Sequence, residues 1–231
     1  RALVMVLSKL WDESGKVTIP GFYDGIQMPE KEEMEKYNTE FDMKEYQRNF
    51  GVKAFSNEEN YSPIESNWFR PTLEINGISG GYTGSGFKTV IPSVARAKVS
   101  CRLVPGQDPK KIQKGISDFL KSHIAKGIAL KIEHHQDAPA FRSSYDSEIA
   151  HTAAKAYEEV FQKPCRFVLG GGSIPIVVDL VKASEAEATV MGFGLPEDNI
   201  HAPNEHFGLD RFEMGFLTMG RMIAMFSDKQ S

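Results

Sequence analysis

Two segments of this chain alternate apolar and polar residues, RPTLEINGISGG over 70–81 and SVARAKVSCRLVP over 93–105, with the glycine-rich GYTGSGFKTVIP between them. A period of two puts one side of each segment in a core and the other in water, so the pair predicts an antiparallel hairpin. In the second segment Ala97, Val99, Cys101 and Leu103 share the apolar side, and Arg96, Lys98, Ser100 and Arg102 the polar one. A helix follows. Asp108 is its cap, Pro109 its first residue, and Ile112, Ile116, Phe119, Leu120 and Ile124 form one face before Gly127 ends it. IALKIEHH, 128–135, reads as a third strand, and Leu3, Val6, Leu7 and Leu10 as a helix stopped at Gly15. The sum is an α+β lid, an antiparallel sheet with two helices on one face. In a split βαβ arrangement one edge strand would precede Arg1, and nothing before Ala2 caps the first helix, so the sequence is expected to start partway into a longer one.

VTIPGFYD, 17–24, reads as a short strand and turn. Residues 20–69 read as an insertion whose acid-rich part holds short helices in MPEKEEMEKY and DMKEYQRNF. After Pro139 the pattern changes to helix 147–162, buried strand CRFVLG, glycine turn and helix through 184, buried strand ATVMGFG, and a closing helix from Leu209. Strands alternating with helices predict a parallel α/β layer. The expected division is therefore a domain over 1–143 and part of an α/β domain over 144–231.

The net charge of -4 removes the electrostatic reason to expect nucleic acid or an anionic membrane as partner. No apolar run reaches the ~20 residues of a membrane helix, no signal peptide opens the chain, and Cys101 and Cys165 lie far apart without a CxxC. Two reduced, buried thiols and a cytoplasmic location are expected.

Chemistry is sought in the loops at the ends of the α/β strands. GGGSIP, 170–175, fits either an anion cradle of backbone amides or a tight turn. His201 fits either a turn residue or a metal ligand, and His206 does not pair with it at the i, i+4 spacing of a helical zinc site. His123 and His151 fall on helix surfaces, and His134 and His135 on opposite faces of a strand end.

Five short motifs in order, IPGFYD, GSGFKTVIP, RLVPGQDP, GGGSIP and HAPNE, resemble the co-catalytic zinc peptidase family that includes carnosinase and other cytosolic dipeptidases, acetylornithine deacetylase and succinyl-diaminopimelate desuccinylase. The long insertion and KTVIP resemble its carnosinase-like dipeptidase branch. The resemblance implies that His201 is the last metal ligand of a site for two zinc ions, or manganese or cobalt, supported by Glu205. It implies that Thr89 contacts substrate from the partner subunit and that Arg102 clamps the substrate carboxylate. His135 would polarise the scissile carbonyl, and Gly172 and Ser173, beside Gly171, would receive the carboxylate end. Leu169 and Gly170 depart from the arginine and acid that relatives often carry before GGSIP.

In such enzymes metal-activated water hydrolyses a dipeptide or short peptide. The family's other metal ligands and its general-base glutamate match nothing here and are expected upstream of Arg1. This chain alone is therefore expected to bind no metal tightly and to be inactive, as a lid and homodimerisation domain attached to the C-terminal part of an α/β zinc-peptidase catalytic domain. The alternatives are a noncatalytic dimerisation or binding module, and an amidohydrolase or deacylase of the same family.

Overall fold

The computed structural model describes the whole chain except residues 38–40, 55–57, 136, 171–173 and 229–231. In order it contains α1 (Ala2–Leu7), α2 (Lys31–Met34), α3 (Met43–Phe50), α4 (Pro63–Phe69), β1 (Thr72–Gly80), β2 (Ala95–Arg102), α5 (Pro109–His123), α6 (Glu148–Phe161), α7 (Ile176–Ser184) and α8 (Leu209–Asp228). These fall into two compact units. One takes Arg1–Met28, Gly170 and the described part of Phe55–Ala140, and the other Pro29–Ala54, Phe141–Leu169 and Ile174–Ser231. None of these helices is long and apolar enough to cross a membrane.

The first unit is built on the hairpin. β1 and β2 pair antiparallel from Thr72 opposite Arg102 to Gly80 opposite Ala95. The register slips between Ile75 and Gly77, so Asn76 is an extra residue. Ile78 follows Ile75 by three positions, and the slip sets it opposite Ala97, in register with Val99 and Cys101, although it stays 56% exposed beyond the core. The apolar face of the hairpin packs against α1 and α5 through a core of Leu7, Leu10, Phe22, Leu73, Ile112 and Phe119, with Ile75, Ala97, Val99 and Cys101 partly buried against it. Burying each such large side chain contributes about 1.5–3 kcal/mol. The expected cap at Asp108 forms, accepting from the Lys110 and Lys111 amides at the start of α5, and the structure adds a reciprocal capping box of Ser62 and Glu65 at α4.

Two of the sequence motifs are joined here for a structural reason. IPGFYD runs into Gly25 and RLVPGQDP contains Gly106, and the two backbones cross so closely that a Cβ on Gly25 would lie 2.3 Å from the Gly106 carbonyl oxygen. Both glycines have positive φ, 80° and 91°. No side chain fits. Buried Gln107 ties the crossing, its Nε2 donating to the Phe22 carbonyl at 2.7 Å and its Oε1 accepting from the Val104 amide at 3.0 Å. Nearby, Arg70 pairs bidentately with Glu58 at 3.1 and 2.8 Å, with its guanidinium over the Tyr23 and Tyr61 rings.

The second unit is an α6–α8 pair with loops pinned to it. Ala153 and Ala156 meet Met222 and Met225 along the seam, and Arg221 reaches Glu159 at 2.5 Å. Phe193 stacks on Tyr157 and Phe161 of α6, and it lies so near Gly215 of α8 that a Cβ there would meet its ring at 3.3 Å. The insertion contributes to this unit. Tyr37 bridges to Phe167, its ring meets Tyr145 edge-on, and Glu33 lies 4.0 Å from Arg142.

Four expected strands are absent among the described residues. VTIPGFYD keeps only an isolated bridge from Val17 to Trp11, segment 128–135 carries no strand, CRFVLG offers only the single Phe167 bridge, and ATVMGFG carries no strand. The sheet is two-stranded, and the expected parallel layer is not formed. The reason is physical: a strand is defined by the ladder that satisfies its amides, and a parallel strand needs neighbours and cover on both faces. Val168 and Val190 accordingly stay 60% and 56% exposed.

Candidate functional site

The loop carrying His201 starts from Phe193, which α6 and α8 hold in place, and ends at the first turn of α8. Pro196–Asp198 forms a 3₁₀ turn. The chain then takes left-handed backbone at Asn199, His201 and Asn204, with φ of 55°, 63° and 63°. For a histidine this conformation is costly unless neighbouring contacts impose it. The frame of the loop is Asp198, whose side chain is fully buried although it sits in a turn. One carboxylate oxygen accepts from the Leu195 amide at 2.8 Å, and the other accepts from Arg211 Nη2 on α8. Its backbone carbonyl accepts from the His206 amide at 3.0 Å, which closes residues 199–205 into a loop. Hydrogen bonds from Ala202 to the Asn199 carbonyl and from Glu205 to the Ala202 carbonyl shape the interior.

The Leu195 amide, followed by the Arg211 charge, holds the Asp198 carboxyl below the usual carboxylate range. Arg211 also lies over the Phe207 ring, 5.1 Å from its centre. From this base His201 projects into solvent, and among the described residues it makes no hydrogen bond or ion pair. Glu205, four residues on, is exposed on the same loop. An exposed imidazole is a donor available to a cation, and one imidazole is one ligand of the three or four that a zinc site uses. No group of three or more His, Cys, Asp or Glu among the described residues could complete such a site.

The other expected residues belong to the first unit or lie outside the description. Arg102 ends β2 on the polar face, exposed, opposite Thr72. Thr89 is exposed in the loop at the other end of the ladder, among Phe87, Val90 and Ile91, which are 87%, 79% and 89% exposed. Seven residue steps separate Ala95 from Arg102, about 23 Å at strand rise. His135 is exposed, whereas His134 turns to Ser117 of α5, with Nε2 3.4 Å from the hydroxyl. Gly172 and Ser173, with Gly171, lie outside the described residues.

Sequence reasoning missed Asp198 and Arg211. A carboxylate in PEDN reads as a solvated turn residue, and its partner stands 13 positions later, beyond the loop that the pair fixes.

With this geometry in place, comparison with known proteins is informative. A family model for the peptidase dimerisation domain, M20 type, matches residues 3–128. The Cys-Gly metallodipeptidase DUG1 of Candida albicans is 29% identical over 222 residues, covering 94% of this chain and 46% of that protein. The solved M20 family metallo-carboxypeptidase Sso-CP2 from Sulfolobus solfataricus superposes with a TM-score of 0.84 at 28% identity, over 96% of this chain and 51% of that one. Human carnosine dipeptidase 1 superposes with a TM-score of 0.80 at 26% identity, over 96% and 48%. The chain thus spans about half the length of each relative.

Proposed function

This chain belongs to the M20 peptidase dimerisation domain family, and from that membership we propose that it forms the lid and the C-terminal part of the catalytic domain of a metal-dependent dipeptidase. The lid is assigned to 1–143, with 20–69 as its insertion, and the catalytic portion to 144–231. The observation that carries the reading is His201, exposed on left-handed backbone in a loop that closes on the buried Asp198. Similarity to metallodipeptidases along nearly the whole chain supports it.

In this reading His201 holds one of two zinc ions, or manganese or cobalt in their place, with Glu205 supporting the ring from outside the ligand set. Such ions activate water at neutral pH and polarise a carbonyl. Water adds to the carbonyl carbon, the C–N bond breaks, and a carboxylate and an amine leave. His135 donates to the carbonyl oxygen as negative charge builds there. Arg102, a planar bidentate donor, takes the substrate carboxylate together with the Gly172–Ser173 turn.

Thr89 and Arg102 stand at opposite ends of one hairpin, and a dipeptide is only about 7 Å long. In this reading a second copy supplies Thr89, as the family resemblance implies, the two copies meet through the lid domain, and the exposed Phe87, Val90 and Ile91 lie beside that residue. The partners are a dipeptide and a second subunit, without nucleic acid or membrane. The free thiols Cys101 and Cys165 support the cytoplasm as compartment.

The test is a polypeptide that joins this chain to the complementary half its relatives possess. With zinc it is expected to hydrolyse Cys-Gly or β-Ala-His, while His201→Ala weakens metal binding by more than about 100-fold, beyond the loss typical of a supporting residue. Metal binding indifferent to His201→Ala would overturn the site, and absence of hydrolysis with metal bound would favour a noncatalytic module.

A further inference from the structure

We infer that Asp198 and Arg211 form a positioning clamp that sets the metal-facing conformation of the His201 loop. The inference rests on the dipeptidase reading and adds residues to which that reading gives no role. Asp198 is among the most deeply buried side chains in the chain, 1% exposed, yet it lies in a surface turn. Hydrophobic packing does not explain a buried carboxylate. Its hydrogen bonds do, because each joins a different part of the loop's frame: the Leu195 amide at the entrance, Arg211 on α8 at the exit, and, through the backbone carbonyl, the His206 amide where the loop closes.

Arg211 is placed to hold this carboxylate. Its side chain is 16% exposed, its Nη2 donates to Asp198, and its guanidinium covers the Phe207 ring. Among the described residues its buried Nε has no hydrogen-bond partner. Leaving that donor unmet is a cost that the charge-assisted bond to Asp198 must offset. His201, by contrast, makes no hydrogen bond or ion pair among the described residues, so the backbone set by the clamp determines where the imidazole points.

The experiment uses the full-length protein containing this chain, loaded with cobalt as a spectroscopic probe. Asp198→Ala and Arg211→Ala are expected to speed amide exchange of Leu195 and His206 by at least about tenfold, the effect of losing one charge-assisted hydrogen bond. Helical amides of α6 should exchange as before. Cobalt affinity should fall about 10–100-fold, the loss typical of residues that orient a ligand, and the visible ligand-field bands should change. Arg211→Lys, which keeps the charge but not the planar fork, should recover part of the affinity. Asp198→Asn serves if the alanine variant does not fold, since its amide oxygen still accepts from Leu195 while the ion pair is lost. If His201→Ala weakens cobalt binding and none of the clamp variants changes affinity or spectrum, the clamp is refuted and the dipeptidase reading stands. If His201→Ala itself leaves cobalt binding intact, the dipeptidase reading fails, and the purpose assigned to the clamp fails with it.

Discussion

The two units bury very different side chains. The first encloses Leu10, Phe22 and Leu73 at 0%, 1% and 2% exposure between a sheet face and helices, whereas the second closes its α6–α8 seam with two alanines and two methionines. In that second unit Phe212, Phe216 and Ile223 remain 67%, 74% and 67% exposed. Together with Leu209 and Met219 they recur at intervals of three and four residues, the spacing of a helix stripe made for packing. Helix α8 therefore carries two apolar stripes and uses one of them within this chain. The lesson is that the first unit closes its core and leaves its hairpin loop bare, whereas α8 of the second leaves a whole apolar stripe uncovered, which the dipeptidase reading assigns to the complementary part of the catalytic domain.

Core truncation breaks or sharpens that contrast most strongly. Phe22→Ala is expected to destabilise the first unit by about 3–5 kcal/mol, because transfer and cavity costs add in a closed core. Phe216→Ala in this chain should change stability by less than about 0.5 kcal/mol. In a polypeptide with the complementary half present, the same Phe216→Ala should cost as much as a core substitution. Denaturant unfolding of the pairs decides it, and equal losses for Phe22→Ala and Phe216→Ala in this chain would erase the contrast.

Acid should act next, and on the second unit. The Asp198 carboxyl titrates below its unfolded value of about 3.9. Its contribution to stability is thus complete above that value and is lost as pH falls through the lower folded one. Thermal melts of the second unit should drop on acidification below about pH 4, and Asp198→Asn should start lower and respond less. An Asp198→Asn melt with undiminished acid sensitivity would remove the carboxylate from the account.

How much of this was legible in the sequence follows the same division. The hairpin, the α5 cap at Asp108 and the core face of Ala97, Val99 and Cys101 were readable because alternation and capping are local. The bulge at Asn76 was present as a broken period, Ile75 to Ile78, and passed unread. Segments 128–135, 165–170 and 188–194 looked like strands because apolar runs carry no record of whether a ladder partner exists. At the site, residue types left His201 undecided, and only the resemblance of HAPNE pointed to a ligand. Asp198 was invisible for a further reason: what marks it is burial, and burial in that turn is produced by a helix thirteen residues away.

The smallest effect uses the one cysteine each unit provides, both half-buried. Burial pushes the Cys101 thiol up to about 12, with the Glu74 charge adding to it. Burial also raises Cys165, followed by the charge of Glu158, whose carboxylate accepts from the Cys165 amide at 3.1 Å. The thiolate is the reacting species, so both thiols should label more slowly than a free cysteine at pH 8. Cys101, within the hairpin face, should become reactive only when the first unit opens, whereas Cys165 follows α6 at the edge of the loosely covered unit. Time-resolved mass spectrometry of alkylation should therefore find Cys165 modified first, and denaturant below the main transition should speed Cys165 while leaving Cys101 unchanged. Equal rates would mean that the closed core of the first unit opens as readily as the second, which the burial of Leu10, Phe22 and Leu73 argues against.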